Sequence, residues 1–245
     1  MASAPSVDER EVERFAQLAA EWWNPRGKFR PLHLFNPVRL TLIRSEAARH
    51  FGRDARAMQP FGGLSLLDIG CGGGLLSEPM ARMGFQVTGV DASERNVRTA
   101  ATHALGQNLA VEYRTGSAES LVLEGRRFDV VLNMEVVEHV ASVPDFLEAC
   151  AALINPGGLM FVATINRTLK SLMLAKFGAE YVLRWLPAGT HDWNRFLTPL
   201  ELRTQLERAG LELTRTQGIV FDPLKWDWRL SSDTDVNYVI TAVKR

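Results

Sequence analysis

The amino-acid sequence predicts an α/β fold in which a mostly parallel sheet of seven strands has helices on both faces. From Ser65 onward, short apolar runs alternate with helical segments, which is typical of βαβ units. The run Phe128–Leu132 is apolar except for Asp129, as expected for a strand that crossover helices bury on both faces. With 245 residues, 46% of them hydrophobic, the chain is long enough for one such domain with a large core.

Charge and cysteine content limit the classes of function. The 28 Lys and Arg residues equal the 28 Asp and Glu residues, so no global positive field draws the protein to nucleic acid, and we predict no nucleic-acid partner. Cys71 and Cys150 do not form a metal-type pair, which fits a reducing cytoplasm. The acidic residues 1–15 have no apolar core of a signal peptide, and we predict no membrane-spanning helix.

Two helices are predicted before the sheet, and together they form an N-terminal cap over residues 1–58. Ser6-Val7-Asp8-Glu9 has the pattern of a capping box, which predicts a helix from there to about Trp23. A second helix is predicted from Val38 to Phe51, because the proline of Asn36-Pro37 is tolerated in the first turn of a helix.

The seven strands are predicted from apolar runs that turn residues separate. They lie at residues 65–69, 86–90, 111–114, 128–133, 158–164, 211–217 and 236–243. A helix from Thr198 to Ala209 precedes the sixth strand. Residues 166–197 depart from the alternation of strands and helices, so we expect a small substrate-binding insertion or lid after the fifth strand.

A glycine-rich loop follows the first predicted strand and reads Asp68-Ile69-Gly70-Cys71-Gly72-Gly73-Gly74. Glycines permit positive φ and let a ligand approach backbone N–H groups and a helix N-terminus at the carboxyl edge of the sheet. Asp91 ends the next strand about 20 residues later, where its carboxylate can accept ribose hydroxyls. This combination predicts a cofactor site, and the alternative is a plain strand-to-helix turn.

The glycine spacing distinguishes between two kinds of cofactor. A dinucleotide fingerprint requires a glycine at position 75, which is a leucine, whereas glycines stand at 70, 72 and 74. This G-x-G-x-G pattern, with an acid two residues before its first glycine, resembles the motif of S-adenosylmethionine methyltransferases. The resemblance implies a Rossmann-like class I methyltransferase fold with S-adenosylmethionine as cofactor. It also implies that Asp91 holds the ribose and that Asn133 and Met134 lie beside the adenine and the sulfonium.

An acidic cluster with a histidine follows the fourth predicted strand. Glu135, Glu138 and His139 stand at positions i, i+3 and i+4, so they share one face if the segment is helical. That face would border the reactive methyl group. We predict that the three residues are catalytic, either as ligands of a divalent cation such as Mg²⁺ or with His139 as a general base. The alternative is a solvated first turn in which the helix dipole favours acidic residues.

Further stretches across nearly the whole chain resemble the ubiquinone-biosynthesis O-methyltransferases. They are Phe15–Trp23, Pro31–His33, Asn36–Leu40, Gly178–Tyr181, Gly189–Trp193 and Asp235–Tyr238. The resemblance implies methyl transfer from S-adenosylmethionine to a phenolic hydroxyl of polyprenylated catechol-type intermediates, namely 2-polyprenyl-6-hydroxyphenol and 3-demethylubiquinol. It further implies an association with other ubiquinone-pathway enzymes.

The same resemblance implies roles for particular residues. Cofactor contacts are implied for Arg39, Gly70, Asp91 and Met134, and we add Asp68 and Gly72 from the glycine loop itself. Arg39 can pair with the methionine carboxylate through its fork of donors. Glu135, Glu138 and His139 are the metal candidates of the family. His33, His191 and Asp192 lie in matching stretches, but the sequence gives them no role.

Some points stay open at the level of sequence. One alternative function is methylation of another small molecule, and a second is a non-catalytic, methyltransferase-like binding subunit. The intact glycine loop, Asp91 and the acidic cluster argue against the second. Pro79 departs from the family pattern and predicts a kink in the helix that begins near Leu75.

An amphipathic segment is predicted at residues 168–186. Its apolar residues can share one broad face, and its basic residues can reach lipid headgroups: Leu169, Leu172, Met173, Phe177 and Trp185, with Lys170, Lys176 and Arg184. Because the implied substrate carries a lipid-soluble polyprenyl tail, we predict that a cytoplasmic protein attaches reversibly to the inner face of the bacterial membrane. The alternative is that this face packs on the sheet as a lid over the active site.

Overall fold

The computed structural model describes residues 6–173 and 193–245. The strands in these ranges are β1 (Ser65–Ile69), β2 (Gln86–Asp91), β3 (Val111–Thr115), β4 (Phe128–Met134), β5 (Ile154–Ile165), β6 (Leu211–Asp222), β7 (Asp227–Ser231) and β8 (Asn237–Lys244). The α-helices are α1 (Glu9–Ala16), α2 (Arg30–His50), α3 (Ser77–Arg82), α4 (Glu94–Gly106), α5 (Ala118–Leu123), α6 (Val143–Ala152), α7 (Leu169–Ser171) and α8 (Pro199–Arg208). Short 3₁₀ turns lie at Ala19–Glu21, Val137–His139 and Trp193–Arg195.

All eight strands belong to one sheet, in the order β3-β2-β1-β4-β5-β8-β6-β7. β1 to β5 run parallel, whereas β8 pairs antiparallel with β5 and β6, and β7 pairs antiparallel with β6. The predicted mostly parallel sheet is therefore confirmed, with β7 as an additional edge strand. β7 was not predicted, because a partly exposed edge strand buries little apolar surface and carries no apolar run.

Apolar layers cover both faces of the sheet. One layer contains Leu147 of α6 and Leu202 of α8, and the other contains Leu42 of α2 and Met80 of α3. The central strand β4 lies between the two layers, so its residues 130–132 are completely buried. The strand order reverses between β2-β1 and β4-β5, which opens a crevice at the carboxyl ends of these strands.

The N-terminal helices differ from their predicted bounds. α1 is shorter than predicted at both ends: Asp8 rather than Ser6 caps it by accepting a hydrogen bond from the backbone N–H of Arg10, and it ends at Ala16 rather than near Trp23. α2 begins at Arg30, so Pro37 lies in its interior instead of its first turn. Burial of neighbouring apolar side chains of α2 against the sheet compensates for the backbone hydrogen bond that the proline removes.

The expectation that Pro79 kinks the helix after the glycine loop is wrong. α3 begins at Ser77 rather than near Leu75, so Pro79 lies in its first turn. The backbone N–H groups of a first turn have no partner within the helix, and a proline there removes no helical hydrogen bond.

Most of the predicted insertion at residues 166–197 lies outside the described residues. Within it, residues 174–192 are not described, and they include His191 and Asp192. Its described beginning is α7, capped by Thr168, whose hydroxyl accepts a hydrogen bond from the backbone N–H of Ser171. None of the helices in the described ranges is both long enough and apolar enough to cross a membrane.

Candidate active site

A cavity of about 250 Å³ lies at the carboxyl ends of β1, β2 and β4, where the strand order reverses. All of the predicted site residues except Asn133 line it: Arg39, Asp68, Gly70, Gly72, Asp91, Met134, Glu135, Glu138 and His139. Asn133, which was expected beside the adenine and the sulfonium, is completely buried in β4 and does not line the cavity. The structure thus brings together side chains from the N-terminal cap, the glycine loop and the segment after β4. The role of each residue in this cavity remains a prediction.

The glycine loop is held against the end of β2. The backbone N–H groups of Gly70 and Cys71 both donate to the carbonyl oxygen of Val90, at 2.7 and 3.0 Å. Gly70 and Gly72 have φ angles of 68° and 54°, in the left-handed region that favours glycine. The loop can therefore turn sharply out of β1 and expose its backbone to the cavity.

Asp91 ends β2 with both carboxylate oxygens fixed. Oδ2 accepts a hydrogen bond from the backbone N–H of Gly72 at 2.9 Å. Oδ1 accepts from the backbone N–H of Ser93 at 2.8 Å and from Nδ2 of Asn96 at 3.2 Å. Burial raises the pKa of Asp91 despite these donors. A carboxylate offers about four acceptor sites, so capacity for ribose hydroxyls remains.

Arg39 lies on α2 and is only 3% exposed. Its Nη2 donates to Oε1 of Glu135 at 2.8 Å, and its Nη1 makes a longer contact of 3.4 Å with Oδ1 of Asn36. Within the described part of the chain, its buried Nε has no hydrogen-bond partner. A buried cation with an unsatisfied donor suits an anionic ligand group, so this residue fits the carboxylate of S-adenosylmethionine.

Asp68, the second-last residue of β1, and Met134, the last residue of β4, belong to the two strands that flank the crevice. Asp68 accepts a hydrogen bond from the Ser77 hydroxyl at 2.6 Å and so joins the end of β1 to the start of α3. Burial raises the pKa of Asp68 to about 6. Met134 is a buried apolar wall of the cavity at the end of β4.

The residues of the acidic cluster do not share one α-helical face, contrary to the sequence prediction. The backbone N–H of Glu135 still donates to the carbonyl oxygen of Ala163 on β5 at 2.9 Å, so this residue continues the strand pairing of β4. Glu135 has a φ of 60°, and a short 3₁₀ turn at Val137–His139 follows it. The chain therefore bends sharply between β4 and this turn.

The three side chains have three different partners. Glu135 pairs with Arg39, Oε2 of Glu138 accepts from the Thr164 hydroxyl at 3.0 Å, and Nδ1 of His139 lies 2.9 Å from Oε2 of Glu11. Among residues 6–173 and 193–245, no group of three or more His, Cys, Asp or Glu side chains is placed to hold a metal ion. As arranged here, the cluster does not fit a divalent cation, and no step below depends on one.

Burial changes the proton affinities of this cluster. Burial and the neighbouring Glu135 carboxylate raise the pKa of Glu138 well above that of a carboxyl group in water. Burial alone would lower the pKa of His139, but the carboxylates of Glu11 and Glu138 outweigh it and raise this pKa. A buried carboxyl group with a raised pKa can exchange a proton near neutral pH, as a general base must.

The N-terminal residues form a wall of the cavity that the sequence did not predict. The backbone N–H of Ser6 donates to Glu119 at 2.8 Å, and Asp8 forms an ion pair with Arg195 at 2.7 Å. Together with the contact between Glu11 and His139, these bonds hold α1 across the site. The acidic residues of α1 indicated only a helix start, because nothing local shows which distant cations they meet.

His33 has a structural contact, with its Nε2 2.8 Å from the backbone oxygen of Trp22.

Comparisons with known proteins agree with this arrangement. Residues 13–216 match a protein family described as a methyltransferase domain. The ubiquinone biosynthesis O-methyltransferase of Caulobacter vibrioides is 59% identical over 98% of this chain and 95% of its own length. The protein of the same name from Sinorhizobium medicae is also 59% identical, over 97% of this chain and 96% of its own.

Solved structures show the fold. The magnesium protoporphyrin IX methyltransferase of Synechocystis PCC 6803, solved with bound S-adenosylhomocysteine, has a TM-score of 0.67 at 20% identity and covers 97% of this chain and 100% of its own. A methyltransferase from Thermotoga maritima, described as a possible histamine N-methyltransferase, has a TM-score of 0.63 at 17% identity and covers 96% and 99%. At these identities the likeness establishes the Rossmann-like class I fold.

We predict that Glu11→Gln lowers the pKa of His139, because the amide keeps the side-chain shape but removes the charge that favours the imidazolium. Since the folded-state pKa of His139 is raised, the contact stabilises α1 most at low pH and weakens as pH rises through that pKa. An NMR titration of the imidazole protons measures it, with His139 identified by the loss of its signal in His139→Gln. Glu13→Gln, on the exposed side of α1, is the matched control and should leave the value unchanged. An unchanged His139 pKa in Glu11→Gln would contradict the prediction.

Proposed function

The chain belongs to the ubiquinone biosynthesis O-methyltransferases, and from this membership we propose how its cavity performs methyl transfer. The protein is an S-adenosylmethionine-dependent O-methyltransferase that acts on a polyprenylated phenolic substrate. This membership argues against both a non-catalytic binding subunit and an unrelated small-molecule substrate. The observation that carries the residue-level proposal is the convergence of Arg39, Asp91 and Glu138 on one cavity. We propose 2-polyprenyl-6-hydroxyphenol and 3-demethylubiquinol as the acceptors.

The cofactor supplies an electrophilic methyl group on a sulfonium when it is bound. In our proposal, Asp91 accepts the ribose hydroxyls, and Arg39 donates to the methionine carboxylate through its unsatisfied Nε. The glycine loop lets the cofactor approach backbone N–H groups, and Met134 covers it from the end of β4. Holding the methyl group and the acceptor oxygen in line is expected to supply much of the rate enhancement.

The acceptor must lose its phenolic proton, since a phenol has a pKa near 10 and is mostly protonated at neutral pH. We propose that Glu138 accepts this proton. Glu135 and His139 are each in an ion pair, whereas Glu138 is hydrogen-bonded to the neutral hydroxyl of Thr164 and has a raised pKa. With the proton on Glu138, the phenolic oxygen would be able to accept the methyl group that bound S-adenosylmethionine supplies, and the electron pair of the broken carbon–sulfur bond would stay on sulfur.

We expect the purified protein to methylate a prenylated catechol. We also expect Asp91→Ala to bind the cofactor about 10- to 100-fold more weakly, which corresponds to the free energy of a charge-assisted hydrogen bond. Calorimetry with S-adenosylhomocysteine measures the affinity, mass spectrometry detects the product, and circular dichroism verifies folding. Asp145→Ala, an exposed aspartate on α6, is the matched control. Wild-type affinity in a folded Asp91→Ala variant would exclude the ribose-binding role.

Glu138→Gln should lower kcat by about 10²- to 10⁴-fold and leave affinity for S-adenosylhomocysteine nearly unchanged, because a general base acts on the acceptor and not on the cofactor. In the wild type, kcat/KM should rise with pH as Glu138 loses its proton, and this rise should be absent from the variant. Glu148→Gln, exposed on α6, serves as the control. An unchanged kcat would eliminate Glu138 as the base.

The same assay tests the metal prediction for Glu135, Glu138 and His139 separately. Loss of turnover after chelation, with recovery on addition of Mg²⁺, would support a cation that rearranges these side chains. Full turnover in metal-free buffer would contradict the metal role.

We also propose that residues 168–186 contact the membrane surface that holds the polyprenyl tail. Of this segment, the structure describes residues 168–173. Leu169 and Met173 are 75% and 66% exposed, which supports an apolar surface beside α7. Lys170 forms ion pairs with Asp233 and Asp235 at 2.6 and 3.2 Å, so its charge is partly neutralised. Association with other ubiquinone-pathway enzymes stays a prediction.

Co-sedimentation with anionic liposomes at low salt should recover the wild-type protein in the pellet. The double substitution Leu169→Asp and Met173→Asp should reduce the bound fraction, because two charges would have to leave water. Leu105→Asp, at an equally exposed leucine of α4, is the matched control. If the wild type stays in the supernatant at low salt, where electrostatic attraction is least screened, the membrane proposal fails.

A further inference from the structure

We propose that Trp22 is a positioning residue for the cofactor ribose and that it acts on Asp91 through Asn96. This inference rests on the proposed role of Asp91 as the ribose-binding carboxylate. Trp22 lies in the N-terminal cap, and the sequence indicated no function for it beyond a helix. In the structure, it contacts the groups that fix both oxygens of the Asp91 carboxylate.

The first connection runs through a side-chain amide. The indole Nε1 of Trp22 donates to Oδ1 of Asn96 at 3.0 Å, and Nδ2 of Asn96 donates to Oδ1 of Asp91 at 3.2 Å. Asn96 is 1% exposed. An indole N–H can only donate, so it satisfies the amide oxygen while the amide NH₂ faces the carboxylate. Without this donor, the Asn96 oxygen is buried and unpaired, and the side chain must move away from Asp91 to find a new donor.

The second connection runs through the glycine loop. A Cβ atom added at Gly72 or Gly73 would lie 2.4 or 2.3 Å from the nearest atom of Trp22, so the indole leaves space only for glycine at these positions. The backbone N–H of Gly72 is the donor to Oδ2 of Asp91. Trp22 therefore packs directly against the residue that fixes the second carboxylate oxygen.

Trp22 is itself held in one orientation. Its ring stacks on Phe29 with 3.8 Å between centroids and 5° between planes, and its backbone oxygen lies 2.8 Å from Nε2 of His33. The indole also lines the cavity. A rigid aromatic ring thus serves as the support on which the Asp91 carboxylate and the glycine loop are aligned.

The test uses Trp22→Phe, which keeps an aromatic ring against Phe29 and the glycines but removes the indole N–H. The probes are S-adenosylhomocysteine and its 2′,3′-dideoxyribose analogue, and calorimetry gives the affinity ratio of the two. In the variant, affinity for S-adenosylhomocysteine should fall about 3- to 10-fold, the value of one hydrogen bond, while affinity for the analogue changes little. The affinity ratio should therefore shrink. KM for the cofactor should rise while kcat at saturating cofactor is retained.

Trp23→Phe is the matched control, because it makes the same chemical change at the next residue. The indole Nε1 of Trp23 donates to the backbone oxygen of Gly73 at 2.8 Å, which is a contact with the loop and not with the ribose carboxylate. This variant should keep the wild-type ratio. Asn96→Ala removes the middle group of the connection, should reduce the ratio as Trp22→Phe does, and provides the test if Trp22→Phe fails to fold.

Three results would overturn the inference. An unchanged affinity ratio in folded Trp22→Phe and Asn96→Ala would show that the connection does not reach the ribose. Equal losses for both probes in Trp22→Phe would show that Trp22 only supports the loop. A wild-type protein that binds both probes equally would instead refute the ribose role of Asp91, and with it the inference drawn here.

Discussion

The hydrogen bonds that close the glycine loop onto the end of β2 determine where the active site lies. The carbonyl oxygen of Val90 accepts two backbone N–H groups of the loop, and Asp91 accepts a third from Gly72. These bonds bring the start of α3 beside the carboxyl ends of β1 and β2. Because parallel strands direct their carboxyl ends to one edge, the same edge receives the segment that follows β4. The cavity is thus a consequence of strand order and of a loop that only glycine can form.

The ion pair between Arg39 and Glu135 places a buried cation among the carboxylates of this crevice. Burying a guanidinium is costly unless a partner neutralises it, and Glu135 supplies that partner at 2.8 Å. Glu135 also has a left-handed backbone, which costs on the order of 1 to 3 kcal/mol for a residue other than glycine. Strain of this kind persists only where surrounding structure enforces it. Here the carbonyl oxygen of Ala163 on β5 accepts a hydrogen bond from the N–H of Glu135, and Arg39 pairs with the Glu135 carboxylate.

The sequence predicted the sheet well because burial leaves a local pattern. Strands covered on both faces are continuous apolar runs, and the glycine loop and Asp91 stand at fixed distances from them, so all the predicted site residues except Asn133 meet at one cavity. The partners of those residues could not be predicted in the same way. Glu11 and His139 are 128 positions apart, and neither residue signals the other. The sequence also did not predict that Pro37 lies inside α2 or that β7 forms. Tertiary packing overrides the tendency of proline to break a helix, and a short, partly exposed edge strand has no distinctive pattern.

The sheet edge and the N-terminal cap contribute different groups to the site. The sheet edge supplies backbone donors, carboxylates and the strand ends, features that a glycine loop and parallel strands provide wherever this fold occurs. The N-terminal cap supplies Trp22 against the glycines, Arg39 beneath the cavity and Glu11 beside His139. Because the cap contacts both the cofactor end and the acidic end of one cavity, a displacement of α1 and α2 would loosen both ends together. With the roles proposed above, we expect cofactor binding and acceptor placement to be coupled through the cap, since apolar layers fix the sheet on both faces.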